Sequence, residues 1–315
     1  MINIKKITLL VAQVLLTMGS ANAQGRTFGV VEATADSRSA ALGNTSLGLV
    51  ESFHLYSNPA SFIYGNKQMA VDFAADLQTA TPYGTPMQYT IGAGYKLGDK
   101  RAIYLGGRYM GGLTIPLLGG QEGVGTLKPH DWTIDLGYAF SVTRAFVVHG
   151  TATYAESFVG AQARALLFSV GANYGSAIDL GDTPSFLQFG IRWMDAGTPV
   201  KYDDRGIAHA LPTSVVLGGE WELALTEEHH LSWALSGRYF TPKDARTLLA
   251  GTGLEYNYRD ILKARAGYQY GQHGQSRATL GLGAKWQGIH LDAAYQIALA
   301  EPRINTLLLG IGYSF

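Results

Sequence analysis

Four places in the sequence bring together residue types that could do chemistry: His229-His230, His130-Asp131, the hydroxyls of Ser37 and Ser39, and Asp203-Asp204 with Lys201 and Arg205 beside them. Each lacks the surroundings its chemistry needs. A nucleophile needs a positioned base, and two catalytic acids need each other. Ser37 and Ser39 sit in no G-x-S-x-G context. No H-E-x-x-H pair and no acidic calcium loop occurs. His229-His230 falls at a turn and His130-Asp131 opens a strand, where solvent-facing polarity accounts for both. Asp203-Asp204 with their basic neighbours read as a loop salt bridge. Cysteine is absent, which excludes disulfides, thiolate metal sites, cysteine nucleophiles and a lipoprotein anchor. No catalytic residue, metal or cofactor is expected.

A second set of ionisable residues is more informative because it recurs at alternate positions. Arg108, Asp135, Arg192, Glu220, Glu222, Arg238, Glu255, Lys263, Arg265, Arg277, Lys285 and Asp292 all occupy the small, polar face of alternating segments. In a membrane barrel such groups must face the lumen, because an Arg or Lys on the lipid face at mid-bilayer costs roughly 2–4 kcal/mol. Their signs are mixed, which predicts salt bridges across the lumen rather than an ion-selective pore.

The elements that would position these residues follow from composition and periodicity. The 315 residues include 40 Gly and 18 Tyr, yet only 15% are charged, and mean hydropathy is +0.04. Few soluble domains combine these features, and helical membrane proteins are more apolar. Lys+Arg and Asp+Glu balance at 24 each, and no basic stripe occurs, so nucleic acid is not an expected partner. From residue 68 onward apolar and small or polar residues alternate, as in Trp132, Ile134, Leu136, Tyr138 and Phe140 against Asp131, Thr133, Asp135, Gly137 and Ser141. Marking each such run gives strands at 68–77, 86–97, 101–110, 130–141, 144–155, 165–175, 185–195, 212–223, 228–240, 247–258, 261–271, 276–287, 288–299 and 304–315. A tilted membrane strand needs about 9–11 residues. The expected fold is all-β, a 14-stranded antiparallel transmembrane barrel spanning 68–315. Connections after even-numbered strands are mostly tight and those after odd-numbered strands longer, including 111–129 and 196–211. This is the rhythm of short periplasmic turns and external loops, with both ends in the periplasm. The nine residues 176–184 are the exception. Tyr95, Tyr109, Trp193, Trp286 and Tyr313 fit aromatic girdles against outer-membrane lipid.

Both termini fit export to that membrane. Lys5 and Lys6 precede an apolar stretch from Ile7 to Met18, and Ala21-Asn22-Ala23 offers a small-x-small cleavage site, so 1–23 read as a signal peptide. Tyr313 and Phe315 close the last alternating strand in the manner of the signal read by the barrel-assembly machinery. Residues 24–67 do not alternate. A short helix is expected near 36–42, started by Asp36 or Ser37 and ended by Gly43, with a turn at Asn58-Pro59. Such a segment is long enough to plug the barrel mouth.

Asp36-Ser37-Arg38-Ser39-Ala40-Ala41-Leu42-Gly43 resembles the opening motif of the PorV/PorQ family, and Asn58-Pro59-Ala60 resembles that family's N-P-A triplet, found also in the hatch of FadL-type fatty-acid channels. The motifs cover about 25 residues; the architectural likeness covers the whole mature chain. The resemblance implies a fourteen-stranded barrel with an N-terminal segment in the lumen. It further implies a non-enzymatic component of Bacteroidetes type IX secretion, binding a secretion-system or surface protein. In that reading the apolar loop containing Leu113, Ile115, Pro116, Leu117 and Leu118 would dock the partner, since exposed apolar residues need cover. The alternative is a FadL-like uptake channel for hydrophobic small molecules, with that loop and the plug forming an apolar pocket.

Overall fold

The computed structural model describes residues 26–117, 125–180, 183–203, 206–301 and 303–315; for 179 and 180 it describes the backbone only. The expected signal peptide therefore lies outside the described residues. Fourteen strands form a closed antiparallel barrel. They are β1 (Met69–Gln78), β2 (Gly84–Lys96), β3 (Arg101–Leu113), β4 (His130–Ser141), β5 (Phe146–Phe158), β6 (Gln162–Leu180) and β7 (Thr183–Ala196). The second half comprises β8 (Ser214–Ala224), β9 (His229–Phe240), β10 (Thr247–Tyr258), β11 (Leu262–Gly271), β12 (Arg277–Trp286), β13 (Ile289–Ala298) and β14 (Thr306–Ser314). Each strand pairs with its sequence neighbours, and β1 closes on β14 from Ala70↔Ser314 to Gln78↔Thr306. Closure leaves no edge, so every backbone group in the wall finds a partner without water.

Alternation sets which side chains face out. Ile134 and Leu136 on β4, Leu280 and Leu282 on β12, and Trp193, Trp233 and Trp286 are all half or more exposed on the outer face. In water such a belt would be untenable; in a bilayer it is the solvated surface. The inward positions carry the charges and small residues.

Two connections differ from expectation. The nine-residue link 176–184 is largely strand, because β6 continues to Leu180 and β7 resumes at Thr183. Its alternation is interrupted at Ser176, a polar residue at an outward position between Tyr174 and Ile178. Likewise β3 runs on to Leu113, and Ile115–Pro116 pairs with Thr126–Leu127 as a short ribbon, so the loop 111–129 is partly ordered strand.

The N-terminal segment threads the lumen. Four short helices, α1 (Gly29–Glu32), α2 (Ser37–Ala41), α3 (His54–Ser57) and α4 (Pro59–Tyr64), precede β1. Arg26 bridges in parallel to Ala210 and donates to Ala245 O and Thr247 Oγ1, all at the loop end. The chain then descends to the turn end, where the Tyr64 hydroxyl donates to Ala145 O at 2.8 Å. The first and last strands do begin and end at the turn end. The described start of the chain does not: it lies at the opposite mouth. A sequence without alternation carries no signal for direction of travel, so this could not be read from it.

Candidate functional site

The local chemistry of the N-terminal segment explains its motifs. Asp36 caps α2, accepting from Ser39 N at 2.7 Å, and also accepts the Ser57 hydroxyl. Ser37, Leu42 and Ala60 are buried against the wall. Gly43 ends α2 with φ 76°, a left-handed conformation that glycine adopts without penalty. Asn58 caps α4 through Ala60 N at 3.1 Å, with Pro59 at the first helical position, and its amide donates to Gly48 O at 2.8 Å. The wall is shaped to receive α2: a Cβ on lumen-facing Gly253 would lie 2.5 Å from Leu42 Cα.

Arg38 is the anchor. Its guanidinium pairs with Glu220 of β8 at 2.6 Å and with Glu255 of β10 at 3.0 Å, and donates to Leu49 O. Burial opposes its charge, but the two carboxylates hold Arg38 protonated well above the usual arginine range. Arg265 continues the network by donating to Glu255 and to Asp292. A second tie joins Glu51 to Lys263 and, at 2.8 Å, to Lys285, which also pairs with Asp260. A third group lies at mid-lumen. Arg108 pairs with Asp135 at 2.8 Å, and Asp135 also accepts from Thr133, Thr153 and the Tyr56 hydroxyl. Arg192 donates to Thr151 and to the carbonyls of Leu55 and Tyr56, and Arg238 pairs with Asp195 at 3.2 Å.

The lumenal charges read from alternation thus lie inside, but they divide into three groups. Two of the groups grip the N-terminal segment through ion pairs and the third through hydrogen bonds. Arg277 stands apart, donating to Gln296 and Thr306. Glu222 is half-exposed beside His230. The residues not expected were Glu51, Asp195, Asp72 and Asp76. Asp72 and Asp76 occupy inward positions of β1, so alternation was sufficient to find them.

Above the segment, at the loop end, is a cavity of about 1370 Å³. Its floor is the N-terminal segment from Arg26 to Leu47 with Tyr56 and Ser57, and its walls carry Met110, Leu113, Val216, Phe240, Leu249 and Leu308 among the apolar contributors. Arg108, Asp135, Arg192 and Arg238 also line it, Arg238 at the level of Val216 and over the Phe240 ring. The volume exceeds the roughly 300–1,000 Å³ typical of small-molecule pockets. Among the described residues no group of three or more His, Asp or Glu could hold a metal ion.

The apolar loop is part buried and part exposed. Leu113 and Ile115 are buried, and Leu113 lines the cavity; Leu117 is half-buried, Pro116 is exposed, and Leu118 lies outside the described residues. The ribbon pairs Ile115 with Leu127 and turns the Ile115 side chain inward. At the other end Tyr313 packs on Phe315 with ring centroids 5.6 Å apart, and Phe315 exchanges backbone hydrogen bonds with Met69.

No protein-family model and no curated protein matches the chain. Solved structures do. The toluene transporter TbuX of Ralstonia pickettii superposes with a TM-score of 0.56 at 13% identity, covering 93% of this chain and 100% of that one. The toluene transporter TodX of Pseudomonas putida gives 0.56 at 14%, covering 88% and 96%. The CymD monoaromatic hydrocarbon channel gives 0.59 at 13%, covering 92% and 99%. This is an outer-membrane barrel. Its fold is that of the FadL-like fourteen-stranded barrels.

Proposed function

We propose that the barrel admits small hydrophobic molecules across the outer membrane, with the lumenal cavity as their binding chamber. The observation that carries this reading is the chamber itself: large, apolar on its upper walls, and floored by a segment held through side chains rather than through strand pairing. Apolar walls give a hydrophobic solute a favourable first site, worth roughly 25 cal/mol per Å² of apolar surface removed from water. The ion pairs of Arg38, Arg265 and Glu51 stand outside the chamber and hold the N-terminal segment, while Arg26–Glu32, Arg108–Asp135 and Arg238–Asp195 line it with their charges paired. Similar barrels named as toluene transporters and a monoaromatic hydrocarbon channel support the same class of solute.

Docking of a protein in type IX secretion rests on the motif resemblance. The motif residues have intrachain roles as helix caps and as the Arg38 anchor, and two of the five proposed docking side chains are buried.

Titration of the purified barrel in detergent with an apolar naphthyl fluorophore tests the proposal. Saturable binding, displaced by toluene and weakened by Leu249→Trp, which fills the chamber, is the expected result. Fluorophore uptake identical in the two proteins and insensitive to toluene would refute it.

A further inference from the structure

One wall of the chamber carries a carboxyl group that has no hydrogen-bond partner among the described residues. Asp76 lines the cavity and is only 8% exposed, and its Oδ1 is buried without a hydrogen-bond partner. Gln88, its cross-strand partner on β2, cannot help as placed: its Nε2 is turned to Thr90 Oγ1 at 3.4 Å, and its own Oε1 is equally without a partner. Leaving a buried acceptor unsatisfied costs about 1–3 kcal/mol, more for a charged group.

The surroundings are, by contrast, well paired. Thr34 Oγ1 donates to Asn44 Oδ1 at 2.7 Å, Gln296 Nε2 donates to the same atom at 2.7 Å, and Gln269 donates to Gln275 O at 3.0 Å. Arg277 donates to Gln296 and Thr306, both at 3.1 Å. Thr306 is the cross-strand partner of Gln78, one lumenal position along β1 from Asp76. Arg277 and Asp76 therefore face the same corner of the chamber with opposite charges, yet make no ion pair among the described residues. Apolar surface adjoins them directly: Leu308 lies opposite Asp76 on β14, and Pro86 is two residues along β2 from Gln88.

A carboxylate lacking a donor and a guanidinium a short way off together call for a group that donates to one and accepts from the other. A hydroxyl does both. Resting on the reading of the chamber as a hydrophobic-solute site, we infer that this corner is a recognition subsite for a hydroxyl on an otherwise apolar molecule, an alcohol or a phenol. The hydroxyl donates to the chamber-facing side of the Asp76 carboxyl group and accepts from Arg277, while the body of the molecule lies on Leu308 and Pro86. A site built to bond a hydroxyl discriminates strongly against the analogue that lacks it, because the buried polar groups are then left unpaired.

Paired titrations of the detergent-purified barrel with 4-methylphenol and toluene, which share ring and methyl group, test this. The readout is the ratio of the two affinities in native protein, in Asp76→Leu and in Asp76→Asn, each first shown to be folded by heat-modifiability on gels. The ratio is expected to fall at least tenfold in Asp76→Leu, through loss of 4-methylphenol affinity, and by less in Asp76→Asn, which keeps an acceptor oxygen. A ratio unchanged by both substitutions overturns the subsite while leaving the hydrophobic-solute reading intact, and a single bridging water then satisfies Asp76. Saturable binding of toluene without binding of 4-methylphenol overturns the subsite alone, and failure of both compounds to bind saturably overturns both readings.

Discussion

Replacing Arg38 by leucine removes the cation that ties the N-terminal segment to the wall, and the structure fixes how much should be lost. Glu255 would keep Arg265, but Glu220 would keep only the Leu49 N–H at 3.0 Å, in a site where its side chain is 1% exposed. Breaking a buried ion pair by removing one partner costs about 3–5 kcal/mol, because the remaining charge is left uncompensated. The barrel closes through fourteen backbone ladders that do not involve Arg38, so the cost falls on docking of the segment. At about 1.4 kcal/mol per decade, the undocked fraction rises roughly a hundred- to three-thousandfold. Hydrogen exchange at Leu47 and Leu49, whose amides bond to Ser57 O and Glu220, reads this directly. Arg38→Leu is expected to lose protection there while the protein stays heat-modifiable. Adding Glu220→Gln should restore part of it by removing the stranded charge. Unchanged protection in Arg38→Leu, or a double variant no better than the single, would refute the reasoning.

Gly43→Ala should undock α2 while sparing the barrel: the left-handed backbone costs about 1–2 kcal/mol, and the new Cβ would lie 2.4 Å from Tyr268 O, so exchange at Leu42 should rise. Arg265→Leu should loosen the same segment more weakly than Arg38→Leu, since Arg265 acts on it only through Glu255; equal effects in exchange would contradict that order. Docking should also weaken in acid. Burial, with His290 nearby, pushes His54 down to about 3 from an ordinary 6.5, so the docked segment binds fewer protons than the free one as pH falls through that window. Glu51, despite its burial, is held at about 2 rather than 4.5 by Lys263 and Lys285, which adds a loss between pH 4.5 and 2. The His54 contribution alone is about 1.4 kcal/mol per pH unit below 6.5. The protection factor at Leu47, its exchange rate taken relative to that of an unfolded peptide at the same pH, should therefore fall from pH 7 to pH 5, and His54→Leu should flatten that dependence.

The wall was legible because one period governs it. Every expected strand is present, and the inward parity of Arg108, Asp135, Glu255 and Arg265 follows from the same alternation that puts Ile134 and Leu280 outside. The caps at Asp36 and Gly43 were legible too, since they depend on the residue's own geometry, whereas Asn58-Pro59 reads as a turn in the sequence and instead starts α4. What joins segment to wall was not. Arg38 meets Glu220 and Glu255 across 182 and 217 residues, and no local pattern encodes such a pairing. The burial of Leu113 and Ile115 was not legible for a related reason: apolar residues outside an alternating run look exposed until the chain folds back and buries them. Asp76 shows the opposite failure. Its position on β1 was readable, but its lack of a donor depends on how Gln88 and Arg277 spend theirs.

The most direct test of the account is uptake of ring-labelled toluene by intact Gram-negative cells, whose outer leaflet slows apolar solutes, carrying the native barrel, the Leu249→Trp variant or no barrel. A saturable uptake rate that rises with the native protein and returns to background with Leu249→Trp is the predicted result. Equal rates in all three strains, with the barrel present and folded in the outer membrane, would contradict it.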